Sequence, residues 1–268
     1  MKRKIPLYYK GIIGILVILG IVVLSAIIIR LDSINIDDPK VQELYNFLGD
    51  NYLDYCNGLP FYNGEEVNYS TLSVVQRKCV AFKQINKSKI GSEEINKDKK
   101  KDQCSFSKDI IFRLDNEKQT CSYDTIDEKD LERAYKKIYN EKLDNHADFE
   151  LSDTKICYYE KEKSRYVCAN PMEQTVELGW APTTYRVISR AKEKGSKILI
   201  YDYYLAINND RCYITNDGRN ENLECSEKLN KKTKYNSRLV TKYGKKYLHT
   251  FNVDKNGNYY WESTTPIN

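Results

Sequence analysis

Tyr185–Ile207, YRVISRAKEKGSKILIYDYYLAI, decides the architecture. Two runs rich in Tyr, Ile and Val, Tyr185–Ala191 and Ile198–Ile207, flank the turn signal Lys194-Gly195-Ser196. They therefore read as an antiparallel hairpin. Outward from it the same texture recurs. Ile156–Glu160 with Tyr166–Ala169 forms an earlier hairpin, and Cys212–Thr215, Lys246–Val253 and Asn258–Glu262 are later strands. Asn256-Gly257 between the last two is a type I′ turn signal. Ile110–Leu114 and Thr120–Tyr123 read as a further hairpin closed at Asp115-Asn116.

Upstream the period changes. Asp38-Pro39 is a capping acid followed by proline at the first helical position, and Val41, Leu44, Tyr45 and Leu48 follow at i, i+3, i+4, i+7, with Gly49 as a stop. Ser73 with Gln76 is a capping box ahead of Val75, Cys79 and Phe82. Asp127 caps a third helix with Leu131, Ala134, Tyr135 and Ile138 on one face and Glu132–Lys136 on the other. Helices first and then antiparallel strands predict an α+β fold. Residues 86–103, NKSKIGSEEINKDKKKDQ, read as a solvated loop, or as lysines docking to anionic wall polymer or lipid headgroups.

The N-terminus supplies an address. Gly11–Ile29, GIIGILVILGIVVLSAIII, is nineteen residues without a charge or amide. At 1.5 Å per residue it spans about 28 Å, close to the roughly 30 Å hydrocarbon thickness of a bilayer. Lys2, Arg3, Lys4 and Lys10 precede it, so residues 1–10 are expected in the cytoplasm and residues 30 onward outside. The run is longer than a signal-peptide core and lacks a small-x-small cleavage site, which favours an uncleaved single-pass anchor. The expected division is 1–10 cytoplasmic, 11–29 transmembrane and 30–37 spacer, then a helical and hairpin lobe over 38–124 and a helix-plus-sheet lobe over 125–268. The chain is +5 overall, and residues 1–30 hold five basic residues and no acid, so the remaining 238 sum to zero. A neutral exterior gives no footing for nucleic acid.

All eight cysteines follow the apolar run: Cys56, Cys79, Cys104, Cys121, Cys157, Cys168, Cys212 and Cys225. In an exported domain such a set is a disulfide framework, and the simplest connectivity joins nearest neighbours in order. Eight cysteines allow 105 pairings. Cys157 and Cys168 flank a turn near Glu162-Lys163, and Cys212 and Cys225 flank one at Asn216-Asp217-Gly218.

Reactive constellations are missing from the sequence. There is no C-x-x-C, and His146 and His249 are the only histidines, which argues against zinc, any other metal or a cofactor. His146 lies in a polar loop and reads as a surface residue. His249 shares a strand face with Tyr247, Phe251 and Val253 and reads as a packed histidine without an identifiable acid partner. G-x-S-x-G, H-E-x-x-H and the P-loop pattern do not occur. Asp254–Asn258 begins like a calcium loop but has its glycine one place early and no closing Glu, so it reads as a turn. Glu65-Glu66 and Glu93-Glu94 have no partners for an acid/base dyad. No catalytic residue is therefore expected. Of the 23 tyrosines, the clusters Tyr158-Tyr159, Tyr203-Tyr204 and Tyr259-Tyr260-Trp261 put an aromatic on each strand face. This is ordinary sheet packing or, alternatively, a carbohydrate- or peptide-binding platform.

The lysine-rich start, the apolar anchor, the Leu44-Tyr45 pair, the cysteine-flanked hairpins and the closing YLHTFNVDKNGNYYWESTTPI (Tyr247–Ile267) resemble uncharacterised single-pass exported proteins of low-G+C Gram-positive bacteria. That resemblance implies a cell-surface setting and carries no activity. The order of helices and bent antiparallel sheet is also similar to NTF2-like and cystatin-like folds, which serve many functions. The expectation is a non-enzymatic binding module on the plasma membrane, facing cell-wall polymer or another surface protein. The alternatives are a wall-directed hydrolase with an acidic site, and a sensor or assembly subunit of a membrane complex.

Overall fold

The computed structural model describes residues 33–48, 60–94, 97–98, 103–105, 111–112, 122–152, 155–169, 182–216, 218–229 and 237–267. Gly11–Ile29 lies outside them, and no helix among the described residues is long and apolar enough to cross a membrane. The described chain is α+β and its sheets are antiparallel.

The first elements are β1 (Ser33–Ile34), α1 (Pro39–Phe47), β2 (Val67–Asn68) and α2 (Val74–Lys83). They are followed by β3 (Ile90–Glu94), β4 (Lys97–Asp98), β5 (Gln103–Ser105), β6 (Ile111–Phe112) and β7 (Ser122–Asp127). Next come α3 (Glu128–Tyr139), β8 (Phe149–Ser152), β9 (Lys155–Glu160) and β10 (Arg165–Ala169). The C-terminal part holds β11 (Thr183–Lys194), β12 (Lys197–Asn208), β13 (Arg211–Tyr213), α4 (Leu223–Leu229), α5 (Ser237–Tyr243), β14 (Lys245–Val253) and β15 (Tyr259–Ile267).

The helix starts follow their local chemistry. Asp38 Oδ1 accepts from Lys40 N at 2.9 Å, Asp127 Oδ1 from Lys129 N at 2.8 Å, and Ser73 with Gln76 closes both halves of the capping box. Leu131, Ala134, Tyr135 and Ile138 are buried, as their spacing predicts.

The largest sheet runs β1-β11-β12-β14-β15-β2, with β13 also on β12. Its centre is the hairpin of the opening stretch, in which Lys194 pairs with Lys197 across Gly195 (φ +60) and Ser196. Along β12 the period is two. Ile198, Ile200, Asp202, Tyr204 and Ala206 face the main core, while Leu205 on the opposite face packs beneath α4 and α5 with Cys212, Cys225, Leu239 and Val240. Gly244, just after α5, has no room for a side chain, since a Cβ would stand 2.7 Å from the Tyr204 carbonyl oxygen. A bulge at Glu262 shifts the register between Phe251↔Trp261 and Thr250↔Ser263, so Trp261 and Thr264 are both buried although three positions apart.

A second sheet, β3-β7-β10-β9-β8, shares that core with α2 and α3, and a third joins β4, β5 and β6. Position 124/125 falls inside β7, whose residues pair with β10 on one side and β3 on the other.

Cys157 pairs directly with Cys168 across the β9–β10 hairpin (Cα–Cα 4.0 Å), and Cys212 bonds Cys225 (Cα–Cα 5.8 Å). Cys79 and Cys104 are disulfide-bonded too, and no described cysteine is free. Cys56 and Cys121, their expected partners, lie outside the described residues.

Three expectations need correcting. Residues 86–103 are not one loop, because β3 occupies 90–94 as an edge strand on β7. The side chains of β3 are exposed or half-buried, so their polarity was legible while the backbone pairing left no compositional trace. The expected hairpin over 110–123 lies mostly outside the described residues; of its ends, β6 pairs with β5, and β7 with β3 and β10. The Asn256-Gly257 turn is a hairpin but not type I′, because Gly257 (φ +81) has positive φ and Asn256 does not. Asp254 stabilises it, with Oδ1 accepting the backbone N–H of Asn256 and Asn258 at 2.8 and 2.9 Å. Lastly, Cys225 sits on α4, so its disulfide ties a strand to a helix rather than two strands across a turn.

Candidate functional site

A groove of about 350 Å³ opens where α1, α3 and the β14–β15 hairpin meet. Aromatic side chains line it: Phe47 from α1, Phe251 from β14, and Tyr259, Tyr260 and Trp261 from β15. The bulge places Trp261 in the floor, where it is 2 % exposed and lies edge-on to Phe61 at 4.9 Å. Tyr259 and Tyr260 are half-buried, so part of each ring faces the opening. Lys40 Nζ sits 3.9 Å over the Tyr259 ring, and Lys137 pairs with Glu43 at 3.1 Å on the rim.

A buried polar chain lies beneath that floor. Trp261 Nε1–H donates to Thr264 Oγ1 at 3.1 Å, and Thr264 stands 2.8 Å from His249 Nδ1. The Asp202 carboxylate can only accept, so His249 Nε2–H donates to its Oδ1 at 2.9 Å, and in the neutral imidazole Nδ1 then accepts the Thr264 hydroxyl proton. Tyr62 Oη–H donates to the other oxygen, Oδ2, at 2.7 Å, and Arg186 donates to Tyr62 Oη at 3.3 Å. Tyr62, Asp202 and His249 are all 0 % exposed. Burial first, and Asp202 second, push the Tyr62 phenol well above its ordinary value. Burial pulls Arg186 down, but Tyr62, Tyr45 and Asp202 outweigh it and hold the guanidinium up.

This chain supplies the acid partner that the sequence did not reveal for His249. Asp202 lies 47 residues away on the neighbouring strand, and the His249↔Ile200 register brings the two inward-facing side chains together. The local signal was only an acid on the core face of a strand. Trp261, Thr264, His249, Asp202 and Tyr62 are buried and Arg186 is half-buried, so the chain holds the floor of the groove in place and offers no exposed nucleophile.

His146 is not the lone surface residue that its polar neighbours implied. Its side chain is 23 % exposed and faces Glu128 and Glu132 of α3. Glu93 binds Arg165 and Tyr123, which hold its carboxyl below the usual range, so it too is structural. Of the aromatic clusters, Tyr259-Tyr260-Trp261 lines the groove, while Tyr204 stacks on Tyr62 at 4.4 Å inside the core.

Comparison with protein-family models, with curated proteins and with solved structures finds no match to the chain.

Proposed function

We propose that the chain is a membrane-anchored, non-catalytic module of the bacterial cell surface that binds a neutral wall glycan in the aromatic groove. The observation that carries this is the groove itself. Rigid ring faces flank a polar rim, and its volume of about 350 Å³ lies within the usual range for small-ligand sites. Aromatic rings suit the apolar faces of sugars, and Lys40, Lys137, Glu43, Gln84 and Asn258 offer hydrogen bonds around them. The net charge of zero beyond residue 30 fits an uncharged polymer better than a strongly ionic one.

Placement supports the same reading. If Gly11–Ile29 spans the bilayer, only Arg30, Leu31 and Asp32 separate it from β1, which is paired to β11. Four residue steps reach at most about 14 Å, so this edge of the large sheet stands next to the membrane.

A hydrolase is the weaker alternative. Glycoside hydrolysis by the usual route needs two carboxyl groups, and Glu43 is the single acid among the groove's lining residues. The test is sedimentation of the full-length protein with purified wall sacculi. Wild type is expected in the pellet, and Tyr259→Ala/Tyr260→Ala is expected to bind at least about tenfold more weakly at unchanged unfolding temperature. Equal binding by both proteins, or none by wild type, sinks the proposal. Release of soluble glycan fragments would favour the hydrolase, and membrane-dependent recovery of a protein partner would favour a sensor or assembly subunit.

A further inference from the structure

Glu128 and Glu132 are four residues apart and therefore share one face of α3 in its first two turns. His146, from the segment after that helix, points Nε2 at both, 3.3 Å from Glu132 Oε1 and 3.9 Å from Glu128 Oε1. All three donor atoms lie within 4.8 Å of one another. We propose that these three side chains form a binding site for a divalent first-row transition cation of the zinc type.

The surroundings of the imidazole carry the argument beyond mere proximity. Its other nitrogen, Nδ1, is 3.2 Å from Tyr166 Oη, and its ring stacks on Tyr159 at 5.2 Å and 28°. With Nδ1–H donating to Tyr166, Nε2 presents a lone pair where two carboxylate oxygens also converge. A cation satisfies all three at once. Glu128 is itself oriented, because its second oxygen accepts the Tyr159 hydroxyl. Tyr159 N donates to Asp148 Oδ1 at 2.7 Å, which pins the segment carrying His146 to β9. Hydrogen-bonded ligands held from behind by outer partners are the usual construction of metal sites. The same tyrosines come from the pleated faces of β9 and β10, whose hairpin is locked by Cys157–Cys168.

The donor set selects the ion. One imidazole and two carboxylates, with no thiolate, suit zinc, manganese or iron(II) and do not suit copper(I). Calcium prefers six to eight oxygen donors, more than this cluster supplies. Bonds of about 2.1 Å put ligand atoms roughly 3.0–3.5 Å apart, so modest rotation of the glutamate side chains closes the site. Glu128, Glu132 and His146 are 21 %, 32 % and 23 % exposed, which leaves a path for the ion and open positions for water.

The test uses the full-length protein in detergent, without a histidine tag, stripped with chelator and titrated with zinc and with manganese by calorimetry. One ion per chain is expected, with affinity lowered at least about tenfold in Glu132→Gln and in His146→Gln. The unfolding temperature of wild type should rise with zinc, and that of the variants should not. A readout on wild type alone is zinc protection of His146 from diethyl pyrocarbonate, since His249 is 0 % exposed. Absence of binding, binding undiminished in the Glu132→Gln/His146→Gln double variant, or unprotected modification of His146 overturns the proposal.

Discussion

Replacing Asp202 by alanine tests whether the buried chain under the groove is a stabilising unit. Its two oxygens accept Tyr62 Oη–H at 2.7 Å and His249 Nε2–H at 2.9 Å, in a place where all three residues are 0 % exposed. Alanine leaves two buried donors without an acceptor, at about 1–3 kcal/mol each. The two orphaned donors together cost about 2–6 kcal/mol. At about 2–4 °C per kcal/mol for a domain of this size, the unfolding temperature should fall by about 4–24 °C. The measurement is urea denaturation followed by far-UV circular dichroism with the disulfides intact. Tyr62→Phe should cost less in the Asp202→Ala background than in wild type, because the acceptor of its hydroxyl is already gone, and the expected coupling is about 1–3 kcal/mol. A loss below about 1 kcal/mol for Asp202→Ala, or additivity of the two substitutions within about 0.5 kcal/mol, would refute the reasoning.

Alkaline pH should have two opposite effects. Burial pulls the Lys78 ammonium down to about 8, so from there to 10.5 the unfolded chain holds more protons and stability rises with pH. Above pH 10 buried tyrosines such as Tyr62 and Tyr139, whose phenols are raised, keep protons that the unfolded chain loses, and stability falls. Lys78→Met should abolish the rising limb in a pH series of urea midpoints. Removing Cys157–Cys168 or Cys212–Cys225 as serine pairs should each cost about 3 kcal/mol, from loops of 11 and 13 residues, and a loss under about 1 kcal/mol would contradict the loop-entropy argument. Gly244→Ala should destabilise by more than Gly195→Ala. The first puts a Cβ 2.5 Å from the Val240 carbonyl oxygen, whereas the second meets nothing within 4 Å and bears only the roughly 1–2 kcal/mol of a left-handed backbone. Thermal melts of the two variants rank them directly.

The sequence by itself determined what short-range chemistry determines. Asp38, Ser73 and Asp127 start helices because their side chains reach backbone N–H groups two or three residues on. Gly195 and Gly257 turn hairpins because both adopt positive φ, and Cys157 meets Cys168 because the intervening turn folds the chain straight back. The α+β class followed from these signals in order. The tertiary structure alone decided the strand neighbours and the sites. Tyr62 lies 140 residues from Asp202, the polar strand β3 pairs with β7 through backbone atoms common to every residue, and His146 meets Glu128 and Glu132 only because the segment after α3 folds back against that helix. Trp261 reaches the groove floor because a bulge in β15 changes which side chains turn inward. The reason is range: a cap or a turn is complete within a few residues, whereas these contacts exist only after distant segments have closed around one core, and no local window of sequence carries that closure.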